Sequence, residues 1–167
     1  MYRSPEPFTL LRSLRRVPAA VAILRGGDRF PSLYGTVRFD KTPMGVLVSV
    51  EVMGLPAPEN PCESPIFALH LHEGGTCLDE DGEPFGGAGG HYNPHLCPHP
   101  YHAGDLPPLF GADGVALSCF LTTRFSVEEV LGKTVILHDS PDDFVTQPAG
   151  NAGSRIACGV ITPTRRG

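Results

Sequence analysis

Residues Ile66 to His72 read Ile-Phe-Ala-Leu-His-Leu-His, and this short run restricts the fold more than any other stretch. In a strand, side chains alternate between faces with period 2. Leu69 and Leu71 therefore go to one side, and His70 and His72 go together to the other. The same 36-residue window from His70 to Asp105 also holds His91, His95, His99 and His102, six of the seven histidines in the chain, with Cys97 and Asp105 among them. Imidazoles on a rigid strand beside a loop rich in imidazole, thiol and carboxylate form a donor set suited to zinc or copper rather than calcium or magnesium. One histidine could be an ordinary strand or surface residue; six in one window predict a metal site.

The rest of the chain is read as strands and turns. Twenty glycines and 18 prolines in 167 residues break the sequence too often for long helices. Strands are predicted at Ala19–Leu24, Leu33–Phe39, Val46–Met53, Ile66–His72, Asp105–Phe110, Val115–Leu121, Thr134–Asp139 and Ile156–Ile161. Val46, Val48, Val50 and Val52 give the plainest alternation, and Asp113-Gly114 marks a hairpin. Ser126–Leu131 is expected to make a helical turn. Cys119, within a strand, is expected to be buried, and Cys62 to be structural or a free thiol. Leu55–Pro65 carries four prolines and cannot be a central strand. Two long loops remain, Gly74–Leu109 and Ser140–Ser154, and loops of such length in a compact domain usually serve function. The expected fold is all-β, an eight-stranded Greek-key sandwich or flattened barrel with two long functional loops. Residues 1–18 are read as a leader, a short helix around Phe8–Leu14 or disordered, and residues 19–167 as one domain.

A formal net charge of −5 does not support a nucleic-acid surface, and no apolar run approaches membrane-span length. Val17–Leu24 follows Arg15-Arg16 like the start of a secretory signal, but it is short and ends at Arg25. The chain is therefore expected in the cytoplasm, with export as the alternative. Five cysteines leave at least one thiol outside any disulfide of a monomer. A homodimer is left open.

Taken in order, several blocks resemble the copper and zinc superoxide dismutases. They are His70-Leu71-His72-Glu73, Gly90-His91-Tyr92-Asn93-Pro94, His102-Ala103-Gly104-Asp105-Leu106, His138 with Asp142 four places on, and Gly150-Asn151-Ala152-Gly153-Ser154-Arg155-Ile156-Ala157-Cys158-Gly159. The resemblance runs from about Ala19 to Ile161 and is to bacterial-type members, with shortened zinc and electrostatic loops. It implies copper held by His70, His72, His91 and His138, and zinc held by His91, His99, His102 and Asp105, so that His91 bridges the two. It also implies that Asp142 links His70 to His99, that Cys77 pairs with Cys158, and that Arg155 and His91 are catalytic, Arg155 docking the anion and His91 carrying a proton. The implied activity is disproportionation of superoxide to dioxygen and hydrogen peroxide. The alternative is a non-enzymatic copper- and zinc-binding module of the same fold. A zinc hydrolase fits less well, because Glu73 stands beside the histidines without the helical His-Glu-x-x-His spacing.

Two departures from the family follow from the sequence. His99 and His102 are only three residues apart, with Pro98 and Pro100 flanking His99, which leaves Cys97 and His95 as competing donors for that zinc position. The loop Ser140–Ser154 contains no lysine or arginine, so attraction of an anion must rest on Arg155 and the metals. Added salt is therefore expected to slow superoxide decay only weakly compared with relatives that carry a lysine in this loop; a steep fall of rate with ionic strength contradicts it.

Overall fold

A computed structural model describes residues 17–164, apart from 59, 61, 63 and 64. The expected leader, with its patch at Phe8–Leu14, lies almost wholly outside the described residues. Among those described are nine strands: β1 (Ala20–Gly26), β2 (Tyr34–Thr42), β3 (Gly45–Met53), β4 (Ile66–Phe67), β5 (Leu69–His72), β6 (Leu109–Ala112), β7 (Val115–Thr122), β8 (Thr134–His138) and β9 (Arg155–Pro163). They form one antiparallel sheet in the order β4-β6-β7-β3-β2-β1-β9-β8-β5. The strands at its two ends, β4 and β5, are consecutive in sequence with only Ala68 between them. The sheet therefore curls until its edges meet along Ile66–His72, giving a nearly closed barrel that leaves few free strand edges.

The predicted strand Ile66–His72 is thus two strands, and this makes the count nine instead of eight. Its first half pairs with β6 through Ile66 and Phe67, and its second half with β8 through Leu69 to His72. At the junction the Ala68 amide donates to Ser140 O, and Ala68 O accepts from the His138 amide. The predicted strand Asp105–Phe110 begins four residues later, at Leu109. Pro107 and Pro108 have no N–H to give to a ladder, so pairing starts beyond them.

The interior is built by the alternation read in the sequence. Val46, Val48, Val50 and Val52 of β3 all point inward with Ala22 and Leu24 of β1, Val37 and Phe39 of β2, and Leu69 and Leu71 of β5. Each of the larger side chains contributes about 1.5–3 kcal/mol through burial. Asp113 and Gly114 turn the β6–β7 hairpin with φ of 49° and 78°, the positive pair that a type I′ turn demands. The helical turn is α1 (Val127–Val130): Ser126 caps it, the Glu129 side chain returns to the Ser126 amide, and Val127 and Val130 are buried. Cys119, expected to be buried, is exposed. It falls on the outward set of β7 opposite Ser49, whose Oγ is 3.6 Å from its Sγ.

The loop after β5 folds back over the outer face of β8 and β9. Phe85 and Ala88 pack there on Ile136 and Cys158, and a disulfide joins Cys77 to Cys158 across 81 positions. Among the described residues no helix is long and apolar enough to cross a membrane. A cross-link closing so long a loop removes much denatured-state entropy, about 4 kcal/mol in the chain-entropy model. Cys158→Ser should lower stability by roughly that amount in urea titration; an unchanged midpoint would show that the loop is held without the bond.

Candidate metal centre

The centre is built from β5 outward. Leu69 and Leu71 are fully buried in the core, while His70 and His72, only 0% and 2% exposed, face the opposite side under the long loop. The loop then adds itself to the edge of β5 that β8 leaves open. The Tyr92 amide donates to Leu71 O at 2.8 Å, the Leu71 amide to Gly104 O at 2.9 Å, and the Gly104 amide to Tyr92 O at 2.9 Å. Only glycine fits at position 104, since a Cβ there would lie 2.3 Å from Leu71 O. These bonds set His91 opposite His72 and Asp105 opposite His70. On the other flank, β8 ends at His138, whose ring centroid is 5.0 Å from that of His70.

Four ring nitrogens converge without any hydrogen-bond partner: His70 Nδ1, His72 Nε2, His91 Nε2 and His138 Nε2. The donor atoms of these four residues lie within 4.8 Å of one another. The opposite nitrogen of each ring is engaged. His70 Nε2 is 2.8 Å from Asp142 Oδ2, His72 Nδ1 is 2.8 Å from Gly89 O, His138 Nδ1 is 3.4 Å from Gly153 O, and His91 Nδ1 is 2.7 Å from Asp105 Oδ1. A carbonyl can only accept, so it places the proton of His72 on Nδ1 and leaves Nε2 with its lone pair directed inward. Burial pushes the His138 imidazole down to about 3 and holds His72 well below, and His70 below, the ordinary value. All three rings are therefore neutral near pH 7, the form that binds a metal. Four orphaned buried nitrogens would be costly in a protein without a cation to receive them, and they suit copper.

A second set shares His91. His99 Nδ1 lies 3.1 Å from Asp105 Oδ2, His102 Nδ1 3.3 Å from Asp105 Oδ1, and His102 Nδ1 3.4 Å from His91 Nδ1. Donors bound tetrahedrally to zinc at about 2.0–2.1 Å stand roughly 3.4 Å apart, so this spacing fits that ion. Burial pushes the Asp105 carboxyl upward, but the neighbouring His91 and the other imidazoles outweigh it and bring it below its ordinary value. The structure brings His99 into this group and leaves the competing donors out. His95 is exposed, and Cys97 lies outside the donor group; the Asn93 carboxamide accepts from the Cys97 amide and donates to its carbonyl.

Asp142 joins the two sets. Its carboxylate takes His70 Nε2 on one oxygen, and His99 Nε2, at 2.9 Å, on the other, along with the Phe144 amide. Burial alone would raise its pKa, but the His70 bond and these further donors hold it down at about 2. Arg155 is positioned by β9, where one extra residue relative to β8 sets it, instead of Ile156, opposite His138. Its guanidinium donates to Phe85 O and Gly89 O, both at 2.7 Å. Gly89 O thus holds Arg155 and His72 at once.

Three further residues support the centre, and of these only Gly150 fell within a block singled out in the sequence. Arg124, beyond the end of β7, donates to the carbonyls of His102 and Asp105 at 3.1 Å each. Gln147 brackets the backbone of His99. Gly150 has φ of +69°, and a Cβ there would meet Asp142 Oδ1 at 2.0 Å. Nothing in a single chain distinguishes this glutamine or arginine from solvated ones, because the partners are backbone atoms distant in sequence.

The family model described as copper/zinc superoxide dismutase matches residues 33–161. The chain is similar to the copper-zinc superoxide dismutase of Deinococcus radiodurans, 38% identical over 152 residues and covering 80% of each chain. It is similar also to that of Caulobacter vibrioides, 33% identical over 160 residues, covering 86% of this chain and 85% of the relative. Among solved structures it resembles the Cu/Zn superoxide dismutase from Brucella abortus with a TM-score of 0.70 at 27% identity, covering 84% of this chain and 98% of that one.

The buried neutral histidines give the metal-free protein an acid limit. The unfolded chain takes up a proton on the histidine at position 138 near pH 6.5, whereas the folded one does so only near 3. Stability from this group is therefore complete above 6.5 and lost as pH falls through that window, on the order of 3 kcal/mol by pH 4. Asp142 adds a loss in the same direction between 3.8 and about 2. The melting temperature of chelator-treated protein should drop steadily from pH 7 to 4; a flat profile would contradict the assignment of neutral buried rings.

Proposed function

The chain belongs to the copper/zinc superoxide dismutase family, and from this premise we propose how its residues divide the work. The protein is a superoxide dismutase, an oxidoreductase that converts two superoxide anions and two protons to dioxygen and hydrogen peroxide, with copper and zinc as cofactors. His70, His72, His91 and His138 would hold copper, and His91, His99, His102 and Asp105 would hold zinc. The orphaned nitrogens of the first set carry this reading. When bound, copper supplies the centre that alternately accepts and returns one electron.

The chain's own groups do the rest. Arg155 keeps its positive charge and offers a planar fork of donors, so it attracts and orients the small anion. Its two carbonyl anchors fix that fork beside His72 and His138. His91 Nε2 holds a proton in one half of the cycle and gives it to the oxygen anion leaving as peroxide; its Nδ1, held among the zinc ligands, fixes the ring for that return. Asp142 keeps His70 and His99 in the tautomers that present Nδ1 to the metals. The alternative of a binding module without turnover loses support because all four nitrogen donors and Arg155 are retained.

The disulfide supports an oxidising compartment over the cytoplasm, which the cell fraction holding the oxidised protein would reveal. In protein loaded with both metals, Arg155→Ala should lower the rate of superoxide decay about 10- to 100-fold while metal content stays at the wild-type level. An unchanged rate would remove Arg155 from the mechanism.

A further inference from the structure

The tight spacing between His99 and His102 poses a mechanical problem. Pro98 and Pro100 flank His99, so within Pro98–Pro100 only the His99 amide can donate from the backbone. Asp142 restrains the His99 ring through Nε2, but one bond to a ring nitrogen does not fix the backbone that carries it. That backbone is held by a side chain from the other functional loop. The His99 amide donates to Gln147 Oε1 at 3.0 Å, and Gln147 Nε2 donates to His99 O at 2.7 Å. A carboxamide has one acceptor and one donor side by side, so it meets both groups of one residue much as a neighbouring antiparallel strand would.

Gln147 is itself braced. Asp143 accepts from the amides of Val145 and Thr146 and from the Thr146 hydroxyl, and the Gly150 amide donates to Thr146 O. The loop from Asp142 to Gly150 therefore grips His99 twice, at the ring through Asp142 and at the peptide through Gln147. The other end of the same short turn is held independently by Arg124 on the carbonyls of His102 and Asp105.

We propose that Gln147 is a positioning residue for the zinc half of the centre, acting by clamping the His99 backbone so that Nδ1 meets the other three donors. This rests on the assignment of His99 as a zinc ligand. The clamp makes zinc retention depend on a residue of the second loop that is not itself one of the donors.

A double-mutant cycle tests it on the copper- and zinc-loaded protein, with zinc affinity read by chelator competition and cobalt(II) in the zinc position read by its visible absorption. Gln147→Ala should weaken zinc binding about 10- to 100-fold, alter the cobalt spectrum and leave copper affinity unchanged. Gln147→Glu should do the same, because it loses the donor and sets a carboxylate against His99 O. In a His99→Ala background, Gln147→Ala should cause no further loss. Wild-type zinc affinity in Gln147→Ala overturns the proposal if His99→Ala alone weakens zinc. A full additional loss in the His99→Ala background also overturns it, since Gln147 would then act on the loop generally. Unchanged zinc affinity in His99→Ala itself instead overturns the ligand assignment on which the proposal rests.

Discussion

One strand carries both the barrel and its chemistry. In β5 the leucines fasten the sheet to its core while the alternating histidines stand buried on the other face. That alternation sets everything that follows. Because Leu71 uses its amide and carbonyl for the long loop, His91 and Asp105 arrive at fixed register beside His72 and His70. Because β5 also pairs with β8, His138 arrives from the other side. His70, His72, His91, Asp105 and His138 are thus brought together by backbone ladders.

The second constraint is electrostatic. Several buried imidazoles close together cannot all be charged, and burial keeps His70, His72 and His138 neutral. Asp105 and Asp142 then remain ionised among them, each held below its ordinary pKa by the imidazoles and amides it contacts. Asp142 and the carbonyls of Gly89 and Gly153 take the outer nitrogens of His70, His72 and His138, so that each of these rings has one lone pair left and a single direction for it. Such partners commonly matter to a metal site nearly as much as the ligands themselves. Here they are distributed over Gly89, Gly153 and Asp142, which belong to two connections of the barrel, β5–β6 and β8–β9.

Much of this could be read from the sequence. Period-2 alternation marked β3 and β5, Asp113-Gly114 marked its hairpin, and the ordered histidine blocks pointed to the centre and its family. What escaped was decided by contacts that no local pattern encodes. Ile66–His72 looks like one strand because no glycine or proline interrupts it, yet its halves pair with opposite ends of the sheet. Cys119 lies in a run where apolar residues occupy both faces, so composition could not reveal that its own face is the outer one. His99, and not His95 or Cys97, lies with His91, His102 and Asp105, and it is met by Gln147 and Asp142 from a loop more than 40 residues away.

The central claim is that His91 belongs to both donor sets, so that it would serve a copper and a zinc ion at once. Anomalous diffraction from crystals of the loaded protein, recorded on either side of the copper and zinc absorption edges, tests it directly. The account predicts a copper peak among His70, His72, His91 and His138 and a separate zinc peak among His91, His99, His102 and Asp105. A single peak, or a zinc peak displaced to Cys97 or His95, would contradict it.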